Sequence, residues 1–259
     1  MLKDFLSEIV LAAGELSLEY RSRLETLEVS RKSRRDMVSE ADIAIEDFLV
    51  GKIRGKYPGH SILGEESGEH GGEKCGQKWR WVIDPIDGTT SFVRGQPFYS
   101  ISVAVEKDGE AVLGGVYAPV LGEMFMAEKG KGAYLNGKSI RVSKESRLCD
   151  CVMATGFACV RNDAEHNNLG YFVRILPEIT GVRRFGSAAV DLCYVGCARV
   201  DGFWELNLNA YDVAAGMLIA QETNAKITDL SGEPVSDYKE IVCTNGLIHE
   251  EFIRLLDKK

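Results

Sequence analysis

Along the first sixteen residues, apolar side chains fall at helical spacing: Leu2, Phe5, Leu6, Ile9, Val10, Ala13 and Leu16 form one stripe. Such a stripe predicts a helix that packs on something larger. The pattern resumes at Ile45, Phe48, Leu49 and Ile53, preceded by Ser39 and Asp42 at the spacing of a capping box, so a second helix is predicted to begin near Ser39. The basic run RKSRRD between them reads as a solvated loop, with a phosphate-attracting flap or a nuclear address as alternatives. From Tyr99 to Val142 the period changes. SISVAVE, VLGGVY and EMFMAE, set off by turns at Lys107-Asp108-Gly109 and Asn136-Gly137, predict an antiparallel meander. Beyond residue 145, strands separated by the helical stretches AEHNNLGYFVRILPEI, SAAVDLCYVGCA and DVAAGMLIAQET give the order of an α/β fold.

Two halves follow from this reading: an α+β half over 1–145 and an α/β half over 146–259. No repeat, low-complexity tract or proline-rich linker separates them in the sequence, so they are expected to pack firmly together. With 259 residues, 45% of them apolar, the chain can bury a sizeable core, as one domain or as two halves sharing a cleft. Its 39 acidic and 31 basic residues leave a net charge of −8, which argues against nucleic acid as a general partner. An acidic protein suits a phosphorylated substrate only if divalent cations neutralise some of its carboxylates.

The seven cysteines are scattered in apolar stretches, as at Cys193 and Cys197, and read as small buried hydrophobes in a reducing compartment. Cys149 and Cys151 are too close for a zinc knuckle, and His60, His70, His166 and His249 form no ligand spacing. The start, MLKDFLSEIVLAAGEL, mixes acids into an amphipathic pattern, so a cytoplasmic protein with no export signal or membrane span is expected.

One segment imitates a phosphate loop. Gly132 to Ser139 reads GAYLNGKS, but such a loop needs a buried strand before it and a helix after it. The charged AEKGKG precedes it, and Ile140 and Val142 alternate with Arg141 and Ser143 as in a half-exposed strand, so Asn136-Gly137 is read as a hairpin turn.

The chemistry is carried by RWVIDPIDGTTSFVRG. Trp81, Val82 and Ile83 predict a buried strand ending at Asp84, where Pro85 and Gly88 force a turn. Asp84, Asp87 and the Ile86 carbonyl are then directed into one space as hard oxygen donors suited to Mg²⁺. Gly88, Thr89 and Thr90 let backbone amides approach an anion. Taken alone, the Asp-Gly-Thr run is equally a turn and a helix cap. Two other acidic segments favour metal: Glu65 and Glu66 follow a short apolar strand, and Asp212 opens the predicted helix DVAAGMLIA. Together they offer the separate contributions that a di-metal site requires.

GEES, WVIDPIDGTTSFVRG and FWELNLNAYDVAAG, in this order and over nearly the whole chain, resemble the three signature segments of the inositol monophosphatase family of Mg²⁺-dependent, lithium-sensitive phosphatases. The resemblance implies a layered α/β/α/β/α sandwich, a homodimer, two or three Mg²⁺ per subunit and inhibition by Li⁺. It implies that Glu65, Asp84, the Ile86 carbonyl, Asp87 and Asp212 hold the metal, with Asp84 suited to bridge two cations, and that Glu65 and Thr89 hold the attacking water. Gly88 and Thr89 match positions whose amides grip phosphate; Gly186, Ser187, Ala188, Glu205 and Asp212 match those that contact the alcohol. The implied substrate is a small phosphorylated alcohol or sugar, myo-inositol monophosphate first. Relatives acting on fructose bisphosphate, histidinol phosphate or 3'-phosphoadenosine 5'-phosphate supply the alternatives, and a non-catalytic regulatory or binding protein on the same fold is a further one. Tyr211 stands where the family often has tryptophan, and Arg94 where histidine is common. RKSRR replaces the usual lysine-containing flap, which leaves Lys32 unaligned and makes Asp36 and Asp42 secondary candidates for an outer metal.

Overall fold

The computed structural model describes residues 1–33, 36–71, 78–161 and 164–257. Helix α1 (Leu2–Arg21) is followed by strands β1 (Val29–Ser33) and β2 (Asp36–Ser39) and by α2 (Glu40–Lys56). Strands β3 (Ser61–Gly64), β4 (Gly68–His70) and β5 (Trp79–Asp87) lead into the short helix α3 (Thr89–Val93). The meander consists of β6 (Ser100–Lys107), β7 (Glu110–Ala118), β8 (Glu123–Glu128), β9 (Ala133–Leu135) and β10 (Lys138–Ser139). After it come β11 (Val152–Thr155), α4 (Ala158–Arg161), α5 (Leu169–Ile175), β12 (Gly181–Arg183) and α6 (Ala188–Gly196). The chain closes with β13 (Gly202–Leu206), α7 (Ala210–Gln221), β14 (Lys226–Thr228), β15 (Glu240–Thr244) and α8 (His249–Asp257).

The strands form an eight-stranded sheet in the order β10-β9-β8-β7-β6-β5-β3-β4 and a five-stranded sheet in the order β12-β11-β13-β15-β14. Helices divide them into five layers. Phe5, Leu6, Ile9 and Val10 of α1, with Ile45, Leu49 and Ile53 of α2, cover one face of the larger sheet through Trp81, Ile83, Ile101 and Val103. Helices α6 and α7 fill the space between the sheets, meeting Val82, Ala104, Val116 and Phe125 on one side and Phe203, Ile241 and Cys243 on the other. Beyond the smaller sheet, Trp204 and Val242 pack on Ile175 of α5 and on Phe252, Leu255 and Leu256 of α8. Helices α6 and α7 are apolar nearly all round, which fits a layer with sheets on both sides.

Some expectations change in detail and others hold. Of the basic run expected as a solvated loop, Arg31 to Ser33 and Asp36 instead belong to strands, because β1 and β2 pair antiparallel from Val29 opposite Ser39 to Ser33 opposite Asp36; Arg34 and Arg35 lie outside the described residues. The side chains of Lys32 and Asp36 lie outside the described residues. Gly132 to Ser139 is a hairpin turning through Asn136 (φ 48°) and Gly137 (φ 77°), with β9 paired to β10 and no helix after it. Cys151, Cys159, Cys193 and Cys243 are buried thiols, Cys197 is half-buried and Cys149 is exposed. Among the described residues, no helix is long and apolar enough to cross a membrane.

Helix α7 reaches the larger sheet at close range because Gly114 of β7 has no side chain: a Cβ there would lie 2.9 Å from the Ala215 carbonyl oxygen. Gly114→Val is therefore expected to lower stability by about 1–3 kcal/mol by overpacking. Urea unfolding measures it, and an unchanged midpoint contradicts the close packing.

Candidate active site

Strand β5 delivers two carboxylates by a change of register. Trp81 and Ile83 face α1 and α2 while Val82 faces the middle layer, so alternation places Asp84 on the middle face as well. The strand does not end at Asp84, as Pro85 and Gly88 imply, but continues to Asp87. Asp84 pairs with Ser102 and Asp87 with Ser100, so three steps on β5 oppose two on β6. This bulge returns Asp87 to the face that Asp84 occupies; an unbroken strand would have sent it to the opposite layer.

The third aspartate comes from α7, in the layer between the two sheets. Helix α7 begins at Ala210 instead of Asp212, with Asn209 as its cap. Asp212 is the third helical residue, and its Oδ2 accepts from the Asn209 amide at 2.6 Å. One carboxylate oxygen from each of Asp84, Asp87 and Asp212 lies within 4.8 Å of the others. Glu65 follows β3; its amide donates to the Ile83 carbonyl at 3.2 Å, and its side chain is hydrogen-bonded to Asp84.

These groups line one cavity of about 140 Å³, together with Ile86, Gly88 and Thr89 on the side of the larger sheet and Gly186, Ala188 and Glu205 on the other. Glu205 enters because Gly156 leaves room: a Cβ at Gly156 would overlap its carboxylate. Gly88 takes φ 99°, and a Cβ there would stand 2.8 Å from the Gly186 carbonyl oxygen. Ser187, expected to contact the alcohol, is placed differently. It is 1% exposed, and its hydroxyl donates to Asp87 Oδ2 at 2.6 Å from behind, beside the Ala189 amide at 2.7 Å.

Asp42, a secondary metal candidate in the sequence, has both oxygens engaged. Oδ2 accepts from the Ser39 amide at 2.9 Å, and Oδ1 accepts from the Thr89 hydroxyl at 2.9 Å. Burial raises its pKa. Two charged cavity residues escaped the sequence reading: Asp191, which looks in sequence like a polar position of an apolar helix, and Arg184, an exposed cation at the mouth. Neither carries a local signal, since long-range packing of α6 and β12 brings them there.

The electrostatics are unbalanced. Burial, followed by the charges of Glu65, Asp87 and Asp212, pushes Asp84 far above the usual carboxylate range. Asp212 is raised likewise, by burial and then by Asp87 and Glu65. Asp87 is raised to about 6 by burial, opposed by its bonds from Ser187 and Ala189. Asp84 Oδ1 is buried with no hydrogen-bond partner. Converging oxygen donors, mutual repulsion and an orphaned buried oxygen fit a hard divalent cation such as Mg²⁺, with Glu65, Asp84, the Ile86 carbonyl, Asp87 and Asp212 able to hold it.

A carboxylate with a raised folded pKa stabilises the fold below its unfolded value and loses that contribution as pH rises through the folded value. Metal-free protein should therefore melt at a higher temperature as pH is lowered from 7.5 through the Asp87 value of about 6. Saturating Mg²⁺ should flatten or reverse the trend, because protons and cation compete for the same oxygens. Calorimetric scans across this range check it; a metal-free melting temperature that falls throughout contradicts it.

Comparison with known proteins agrees over the whole chain. Residues 2–259 match the inositol monophosphatase family. An inositol-1-monophosphatase of Mesorhizobium japonicum is 36% identical over 248 residues, covering 95% of this chain and 92% of that protein. A protein of Neisseria meningitidis serogroup B named a putative Nus factor SuhB is 38% identical, covering 94% of this chain and 93% of its own length. The crystal structure of the extragenic suppressor protein SuhB from Bartonella henselae superposes with a TM-score of 0.91 at 36% identity, covering 99% of this chain and 98% of that one. The chain belongs to the inositol monophosphatase family.

Proposed function

We propose that this protein hydrolyses myo-inositol monophosphate to inositol and phosphate in a Mg²⁺-dependent reaction inhibited by Li⁺. The observation that carries this reading is the convergence of Asp84, Asp87 and Asp212 beside Glu65, with a buried, unpartnered oxygen on Asp84. When bound, divalent cations would lower the pKa of a bound water towards neutrality and neutralise the leaving oxygen.

The chain's own residues do the rest. Thr89 donates its hydroxyl proton to Asp42, which leaves its oxygen lone pairs to accept from the attacking water. Thr89 thereby orients the water in line with the phosphoester, with Glu65 as its second partner. The amides of Gly88 and Thr89, and that of Thr90 beside them, lie where α3 begins, line the cavity and can bind phosphate oxygens. Glu205, Ala188 and Gly186 come from the opposite side of the cavity and would bind the alcohol. No covalent nucleophile is required.

Several relatives, that of Neisseria meningitidis among them, are named Nus factor or putative Nus factor SuhB, which raises a regulatory reading. A chain that had lost catalysis would betray it in the donors or the water-orienting group, and all of these are present.

Two experiments test the proposal. Thr89→Val should lower kcat by about 100-fold or more with KM little changed; near-normal turnover would remove Thr89 from the mechanism. Incubated with Mg²⁺ and a panel of inositol, fructose, histidinol and adenosine phosphates, the protein should release phosphate fastest from inositol monophosphate, with Li⁺ suppressing release. Preference for another member would replace the substrate, and no release from any would end the catalytic reading.

A further inference from the structure

Helix α2 places two buried carboxylates one turn apart on one face, Asp42 and Glu46. The first engages Thr89. We propose that the second, Glu46, is a positioning residue for Glu65, clamping the turn that presents Glu65 to the metal site. This inference rests on the reading of Glu65 as a metal ligand.

Glu46 is 1% exposed. Its Oε2 accepts from the Glu66 amide at 2.9 Å and its Oε1 from the Ser67 amide at 2.7 Å. The Ser67 hydroxyl donates to the same Oε1 and also meets His70 Nε2. His70 Nδ1 in turn lies 3.0 Å from Arg54 Nη2, so the far end of the turn is tied to α2 as well. The space is reserved for this carboxylate, because a Cβ at Gly64 would overlap it. On its other side, Glu65 is tied to β5 by its amide bond to Ile83. The ligand therefore sits between two fixed points.

Fixing matters because Glu65 must reach the same cavity as Asp84, to which its side chain is hydrogen-bonded. Two successive backbone N–H groups aimed at one carboxylate set the path of the turn directly after Glu65, and so the point from which its side chain starts. A glutamine cannot replace that carboxylate: one of its two terminal atoms is an NH₂ group, which would face a backbone N–H donor. Aspartate keeps both acceptors on a shorter stem.

The test is calorimetric titration of Mg²⁺ into wild-type protein, Glu46→Gln and Glu46→Asp without substrate, alongside phosphate release at increasing Mg²⁺. Glu46→Gln should bind Mg²⁺ about 10- to 100-fold more weakly, regain turnover as Mg²⁺ is raised, and keep its KM for substrate; Glu46→Asp should fall between. Wild-type Mg²⁺ affinity in a folded Glu46→Gln protein, whatever its melting temperature, overturns the proposal. Should Glu46→Gln not fold, hydrogen exchange on metal-free wild-type protein decides: slow amides at Glu66 and Ser67 support the clamp, and unprotected exchange at both refutes it. If wild-type protein took up no Mg²⁺, the ligand reading itself would fall, an outcome distinct from equal binding by wild type and variant.

Discussion

Four acidic side chains from three distant stretches of the chain converge on one cavity, two of them buried and two half-buried, and their mutual repulsion is the constraint around which the surrounding structure is arranged. Glu65 follows one strand, Asp84 and Asp87 share another, and Asp212 sits on a helix packed between the two sheets. Each aspartate is pushed upward in pKa chiefly by burial and further by neighbouring acids. Left without cations, such a cluster opposes folding; cations turn it into a cross-link between layers. The apolar cores on both sides of the two sheets supply the stability against which this local cost is set.

The devices that hold the cluster are ordinary elements of secondary structure. A bulge in β5 puts Asp84 and Asp87 on one face. Capping boxes at Ser39 and Asn209 fix Asp42 and Asp212 at helix starts, where one carboxylate oxygen satisfies the backbone and the other points elsewhere. Gly88, Gly114 and Gly156 each permit an approach that a side chain would block, against the Gly186 carbonyl, under α7 and beside Glu205. Hydrogen bonds from Ser187 and Ala189 steady Asp87 from the α6 side.

Much of this was legible in the sequence where local periodicity or turn chemistry decides the outcome. The stripes of α1 and α2, the Asn136-Gly137 hairpin and the cap at Ser39 depend on neighbours in the chain, and the structure has them. The long Asp84 to Gly95 signature pointed to the cavity for the same reason. Less legible were features set by distant contacts. The β5 bulge depends on pairing with β6, and its Pro85 looked like a strand end. Asp212 looked like the first residue of its helix because apolar periodicity begins after it, whereas the cap at Asn209 sets the true start. Ser187 matched an alcohol-contact position, but its burial behind Asp87 follows from how α6 meets β5. Arg184 and Asp191 reach the cavity only through the fold.

The central claim is that these acids share hard divalent cations. Crystals soaked in Mn²⁺, which takes the same oxygen ligands as Mg²⁺, test it through anomalous scattering. The account predicts anomalous peaks between the carboxylates of Glu65, Asp84, Asp87 and Asp212. An empty cavity with those oxygens turned apart, or peaks confined to other parts of the surface, would contradict it.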